Sequence, residues 1–401
     1  MDSFVPQSSP ATAASEVFQL MRDGQARTKA EIAELTSSAR STVSARLDLL
    51  LSAGLLVPVG EAASTGGRPP VRFALNAASY AVLAVDLGAS HAAVAIVDLA
   101  GEVLGEVSVP SDITEGPKAV LDRVTGLARQ LLADQGLTAE AIAGIGVGVP
   151  GPVEHSTGRP ANPPIMPGWH DFDIPAYLGE TFSVPVLVDN DVNVMALGEH
   201  TTRWPETDDL LYVKVATGIG SGIISNRRLV RGALGTAGDL GHVQVSGRGE
   251  AVACRCGNLG CLEAVAAGPA IATQLGASGL PVETPQDVVV AVERGEVEAV
   301  RAVREAGRAI GSVLATCVSL LNPSVVVVGG SMSATGEYLL AGIREVVYQR
   351  SLPLATHQLR IVSSPLHGRE ALVGAAAMVL EDVLSPRSVD ALIERRTRAT
   401  A

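Results

Sequence analysis

The sequence predicts an α/β protein in two parts, a small and mainly helical head at residues 14–76 and a larger two-lobed α/β body at residues 80–384. Three observations predict it. The head carries apolar residues at helical spacing, punctuated by glycine and followed by two short strand-like runs. Beyond Tyr80 the pattern becomes strand, polar turn, strand, and it recurs about 125 residues later, the mark of two similar lobes. Charge divides at the same boundary. Residues 1–76 hold seven basic and seven acidic residues, so the whole net charge of −12 lies beyond residue 76.

Composition narrows the class. Of 401 residues, 47% are hydrophobic and 18% charged, which fits a globular chain long enough for two folded domains. The apolar run "SVVVVGG" at 324–330 is far too short to cross a bilayer. With no export-type start in view, the expected setting is a reducing cytoplasm. An acidic body excludes a protein coated in basic surface for nucleic acid. A DNA-binding role, if present, belongs to the head.

Within the head, "SEVFQLMRDG" places Val17, Leu20 and Met21 on one helical face and ends in glycine. Thr28 opens a second helix with Glu31 three residues on, a capping box, and Ile32, Ala33 and Leu35 supply its apolar side. After the turn "SSA", a third helix carries Val43, Leu47, Leu50 and Leu51 and stops at Gly54. "LLVPVG" and "VRFALN" read as two strands around the loop "EAASTGGRPP". That order is a winged helix-turn-helix, with a small three-helix protein-interaction domain as the competing reading. The third helix would enter the major groove of operator DNA through Arg40, Ser41, Thr42, Ser44 and Arg46, with Arg68 of the wing reaching a minor groove. Residues 1–13, rich in Ser, Ala and Pro, are expected to be irregular. The segment 385–401 is expected to be a separate C-terminal tail, a short helix with a frayed basic end.

In the body, "DLGAS" and "GIGSG" are turns rich in backbone N–H groups, suited to phosphate oxygens, yet neither carries the Gly-Lys-Ser/Thr of a P-loop. Between them "VDNDVN" ends a buried strand and starts a helix, where α/β sheets place their ligands. Asp191, beside Asn190 and Asn193, is placed to accept a proton from a hydroxyl; capping the helix is the competing role for this group. Asp189 is assigned to structure. "NPSVVVVGG" is a buried strand followed by Gly329 and Gly330, where a nucleotide's base and ribose can approach the backbone.

Three of the four cysteines crowd into "CRCGNLGCLE". A reducing compartment disfavours a disulfide, and the Gly/Asn/Arg spacing has no apolar period that would make these thiols core residues. Cys317, inside "AIGSVLATCVSLL", is by contrast a core thiol. Thiolates on a glycine-rich loop suit Zn²⁺, and His242 is the nearest upstream histidine, giving the ligand set His242, Cys254, Cys256 and Cys261.

These motifs together carry a resemblance. "DLGAS", "GVGVPGPV", "PGW", "VDNDVN", "ATGIGSGI", "GTAGDLGH", "CRCGNLGCLE" and "NPSVVVVGG", in that order over residues 80–380, resemble the ROK family (repressors, open reading frames and sugar kinases). The fold this implies is the two-lobed actin/hexokinase/Hsp70-like (ribonuclease H-like) one, and the winged head is similar to the family's regulatory branch. The resemblance implies zinc on the four residues just named, with the loop 242–261 shaping a sugar pocket. It implies sugar contacts at Asn190, Asp191, Asp239, His242 and Glu263, with Asp191 as catalytic base in the kinases. Asp86, Gly88 and Ser90 match a first phosphate turn, Thr217, Gly218 and Gly220 a second, and Gly329 and Gly330 the nucleotide side.

Departures from the kinase pattern decide the expected function. Asp239 stands where kinases usually have Glu, a withdrawal of about 1.5 Å. The first turn reads Gly88-Ala89-Ser90-His91 in place of Gly-Gly-Thr-Lys, and Ala216 replaces a glycine in the second. Phosphoryl transfer depends on positioning and charge, so a blunted phosphate side beside a sugar pocket implies binding without transfer. The expectation is a sugar-responsive transcriptional regulator, a repressor of carbohydrate genes. Its partners would be operator DNA and a sugar or sugar-phosphate effector, as a homodimer or homotetramer with no membrane association. The alternative is an ATP- and Mg²⁺-dependent hexose or N-acyl-hexosamine kinase with a DNA-binding head.

Overall fold

An apolar stripe at Ala14, Val17, Phe18 and Met21 turns helix α1 (Pro10–Met21) onto the head's core, where all four are fully buried. The computed structural model describes residues 10–61, 69–245, 252–366 and 368–400. The first nine residues and the wing tip with Arg68 lie outside the described residues. The helix begins at Pro10, so residues 10–13 form its first turn and are not irregular. Proline suits that place, because its missing N–H is one the first turn leaves unbonded anyway.

The head continues as β1 (Arg27–Thr28), α2 (Lys29–Leu35), α3 (Arg40–Ser52), β2 (Leu56–Glu61) and β3 (Val71–Leu75). The capping box forms as expected: Thr28 Oγ1 accepts from the Glu31 N–H, and the Glu31 carboxylate accepts from the Thr28 N–H at 2.6 Å. Val43, Leu47 and Leu50 of α3 meet Ile32 of α2 in the core. The strands pair antiparallel in the order β1-β3-β2, which makes the wing.

The first lobe comprises β4 (Ala81–Leu87), β5 (His91–Asp98), β6 (Val103–Pro110), α4 (Pro117–Asp134), β7 (Ile142–Val149), β8 (Val153–Glu154), β9 (Arg159–Pro160), α5 (Ile174–Phe182), β10 (Val186–Asn190) and α6 (Asp191–Arg203). The second comprises β11 (Leu210–Val215), β12 (Ile219–Ser225), β13 (Arg228–Val230), α7 (Leu262–Ala266), α8 (Gly268–Ala277), α9 (Pro285–Glu293), α10 (Val297–Leu321), β14 (Val325–Gly329), α11 (Glu337–Arg350), α12 (Pro353–Thr356), β15 (Arg360–Ser363) and α13 (Glu370–Val383).

Each lobe has a five-stranded sheet of the same topology. The orders are β10-β7-β4-β5-β6 and β13-β12-β11-β14-β15, with three antiparallel strands first and two parallel strands added at the far side. The sequence repeat is thereby a structural repeat. Asp86 on β4 faces Ala93 and Gly148, and Lys214 on β11 faces Gly220 and Gly329, so the two residues hold equivalent places. Strands β4 and β14 are buried along their whole length, which is why they read as apolar runs broken only by Asp86, whereas edge strand β6 alternates.

Helices α6 and α13 lie between the sheets. One side packs on Val82, Ala84 and Ala95 of the first sheet, the other on Leu210, Tyr212 and Val327 of the second. Glycines let them touch: a Cβ on Gly374 would stand 1.8 Å from the Val194 carbonyl oxygen. Helices α4 and α5 cover the outer face of the first sheet, and α7 to α11 that of the second.

The C-terminal segment is not a separate tail. It forms α14 (Pro386–Thr400), whose Val389 and Ile393 enter the same core as Val17, Phe18 and Leu47 of the head. The apolar spacing of Val389, Leu392 and Ile393 is that of a helix with one buried face. Gln19 of α1 also donates to the Leu384 carbonyl at 2.7 Å. No helix among the described residues is long and apolar enough to cross a membrane.

Candidate ligand cleft and metal-binding loop

A cleft of about 1280 Å³ opens between the lobes. Both glycine turns, the start of α6 and the loop before the cysteines border it. Asp86, Gly88, Ser90, Asn190, Asp191, Thr217, Gly218, Gly220, Asp239, His242, Glu263 and Gly330 all line it, so the residues singled out from sequence converge on one space. Gly329 does not line it. Its Cα packs against Tyr212, whose hydroxyl oxygen lies 1.8 Å from where a Cβ would stand.

Geometry assigns these residues unequal parts. Asn190 is the N-cap of α6: its Oδ1 accepts from the Val192 N–H at 3.0 Å, and its Nδ2 donates to the Gly151 carbonyl at 3.0 Å. Asp191 is the first residue of that helix and is buried. Asp189 is structural, as expected, held at its two oxygens by Asn193 Nδ2 (2.8 Å) and Arg231 Nε (2.6 Å). Glu263, in the first turn of α7, accepts from the Ile219 N–H at 3.2 Å, tying its wall to the second glycine turn. Asp239 is exposed on the cleft and makes no hydrogen bond among the described residues.

Two basic side chains close on carboxylates of the first lobe, His91 from the same lobe and Lys214 from the second. His91 folds its ring over Gly88, 2.1 Å from where a Cβ would stand, and its Nε2 lies 3.0 Å from Asp86 Oδ2. That hydrogen bond raises the imidazole above its ordinary pKa against the opposing effect of burial. Lys214 Nζ lies 2.5 Å from Asp191 Oδ2. Burial pushes the ammonium down, but Asp191 and Asp86 outweigh it and hold Lys214 above the ordinary lysine range. Sequence reasoning missed Lys214. The signal was a lone lysine in the apolar strand "LLYVKVATG".

The four candidate metal ligands assemble as expected. Ligand atoms of His242, Cys254, Cys256 and Cys261 lie within 4.8 Å of one another, the one such group among the described residues. His242 Nδ1 is 3.6 Å from Cys254 Sγ, and Cys256 Sγ is 3.7 Å from Cys261 Sγ. Four ligands at about 2.3 Å around a tetrahedral ion stand roughly 3.8 Å apart, so these residues fit a metal. Burial and the neighbouring thiols push Cys261 up to about 12, a penalty that a cation at their centre would reverse. Gly257 and Gly260 take positive φ to bend the loop around that point.

In the head, Arg40, Ser41 and Thr42 are exposed at the start of α3. Ser44 is half-buried, 3.2 Å from Lys29 Nζ of α2. Arg46 does not join the exposed face. Its guanidinium turns back to Glu16 of α1 at 3.5 Å, and its side chain is only 16% exposed.

The ROK family model matches residues 82–382. The chain is 31% identical over 383 residues to a xylose repressor of Caldicellulosiruptor bescii, covering 92% of this chain and 95% of that protein. A crystal structure of a ROK family transcriptional regulator, a homologue of the E. coli MLC protein, is similar with a TM-score of 0.79 and 26% identity, covering 96% of this chain and 98% of that one. A ROK family glucokinase from Streptomyces griseus, solved with glucose and AMPPNP, is similar with a TM-score of 0.64 and 27% identity over 74% of this chain and 98% of its own. The regulator thus spans head and body together, while the kinase covers a share close to that of the body alone. The chain belongs to the ROK family and has the head-and-body organisation of its transcriptional regulators.

Proposed function

We propose that this protein is a DNA-binding transcriptional regulator of carbohydrate genes, a repressor whose grip on its operator is set by a sugar or sugar phosphate in the interlobe cleft. The observation that carries the reading is the state of the two carboxylates that the first lobe turns toward the cleft. A kinase needs Asp191 free to take a hydroxyl proton and the Asp86 turn free to meet phosphate and metal. Here Lys214 is bound to the first and His91 to the second. The opposite wall, with Asp239, His242 and Glu263, keeps the donors and acceptors a sugar requires.

In this reading Arg40, Ser41 and Thr42 meet operator DNA, assisted by Arg68 of the wing, and a homodimer or homotetramer presents two heads to a palindromic site. Zinc is the metal the donor set selects, since three thiolates and one imidazole favour it over hard cations. Bound there, it acts as a rigid cross-link. With Nδ1 committed to the metal side, His242 keeps Nε2 for a sugar hydroxyl and a single tautomer.

The test is selection of DNA sites from a random pool by the full chain. Operator affinity is then titrated with hexoses and pentoses, and ATP consumption is followed in the same mixtures. A sugar that shifts operator affinity without ATP turnover supports the reading. Robust sugar-dependent turnover that disappears in Asp191→Asn overturns it in favour of the kinase. The metal has its own check. Cys256→Ser should lower bound zinc from about one per chain and weaken sugar binding, and unchanged values of both would remove the loop from this account.

A further inference from the structure

Lys214 is the one lysine lining the cleft among the described residues. It sits on a central strand between buried neighbours, and its side chain is 21% exposed. A lysine there is costly unless something uses its charge. Asp191 uses part of it: one hydrogen bond, the only one the Lys214 ammonium makes among the described residues. An ammonium has three donors, so two remain for the cleft. The second glycine turn follows within three residues, and Thr217 and Gly218 line the same space. Arg369, the other strong cation on the cleft, is committed to Glu106 at 2.8 Å.

Charge bookkeeping at this point is simple. Without Lys214, a ligand oxygen beside Asp191 would have to be a hydroxyl, because an anionic group would meet a buried carboxylate with Asp86 also near. With Lys214, the Asp191 charge is offset one for one, and the ammonium still offers donors to that end of the cleft. We infer that Lys214 is a specificity-determining residue that makes the cleft select an anionic sugar, whose phosphate ester or carboxylate lies against its ammonium and the turn after β11. The inference rests on the regulator reading only in taking the bound sugar as the signal for DNA release; the selectivity itself belongs to the cleft.

Calorimetric titration of the full chain tests it. The probes are glucose, glucose 6-phosphate and glucuronate, the same set built on N-acetylglucosamine with its 6-phosphate, and inorganic phosphate followed by thermal shift. The expected result is binding of an anionic member at least about tenfold tighter than its neutral parent. The 6-phosphates and glucuronate separate phosphate from carboxylate as the group recognised. Lys214→Met/Asp191→Asn removes the pair without leaving a buried charge and should reduce that preference to within about twofold, while Lys214→Arg should retain most of it. If no probe sugar binds, saturable stabilisation by inorganic phosphate that the double variant lacks still supports the inference. A neutral sugar bound as tightly as its anionic counterpart overturns it. So does a preference that survives in the double variant, or no response to any anion. Failure of the regulator reading looks different: an anionic sugar binds with the expected preference and leaves operator affinity unchanged.

Discussion

Ser364 has one hydroxyl proton and two carboxylates to satisfy. Its Oγ lies 2.8 Å from Glu199 Oε2 and 2.6 Å from Glu370 Oε1, with both glutamates buried between the lobes. One O–H cannot donate to two acceptors, and of the two carboxyls it is Glu199 whose burial favours the protonated form. Burial raises its carboxyl above the ordinary glutamate range, against hydrogen bonds from Ser364 and Trp204. The sign of the pH effect follows. A folded-state pKa above the unfolded value of about 4.3 means the native state binds the proton more tightly. The stability this contributes is complete below that value and is lost as pH rises through the raised pKa. Glu199→Gln keeps a donor and an acceptor while removing the ionisation. Its urea midpoint relative to wild type should therefore improve from pH 5 to pH 8, by the equivalent of about 1 kcal/mol. A difference that stays flat over that range would mean Glu199 is ionised throughout.

At the scale of elements, the crossing of α6 and α13 is the joint on which the lobes meet. Gly198 and Gly374 bring the two backbones into direct contact, and a Cβ at position 374 would also stand 2.8 Å from the Gly198 nitrogen. Gly374→Ala must push the helices apart or bend one, at a cost of about 1–3 kcal/mol. A melting temperature unchanged in that variant would show that the joint has slack the contact distances deny. Such joints are poorly legible in sequence, because a helical glycine carries no sign of what approaches it. Local signals were read correctly: Thr28 and Glu31 lie within one turn, and the glycine turns mark the repeat of strands directly. The cysteine loop was legible because its ligands lie within twenty residues of His242. What was missed is non-local. The helical pattern places Arg46 on a face but not its reach back to Glu16, and nothing near "YVKVA" announces that Lys214 meets Asp191 from the other lobe. The stripe on α14 declares a buried face without saying what covers it.

For the whole molecule, that last contact decides how the two parts communicate. Asp191 opens α6 at the cleft, α6 packs along α13, and α13 leads through Leu384 into α14, which shares a core with α1 and α3 of the head. Tyr80 and Leu99 of the first lobe join the same core, so the head rests on the body at two places. A ligand that draws the lobes together shifts α6 against α13, and α14 is the part of that unit in contact with the DNA-binding helices. Coupling between two sites is a free energy, commonly about 1–3 kcal/mol, and it requires the connecting element to be firmly docked at both ends. Replacing Val389 and Ile393 together by alanine loosens α14 at the head end alone, because Ile32, Val43, Leu47 and Leu50 keep the head's own core. In that variant the sugar should bind within about twofold of wild type, and the free protein should hold operator DNA within a few-fold. The ligand-induced change in DNA affinity should shrink toward none, as read by fluorescence anisotropy with and without sugar. Full coupling retained in the variant would route the signal through Tyr80 and Leu99 instead, and would make α14 a buttress of the head with no part in the response.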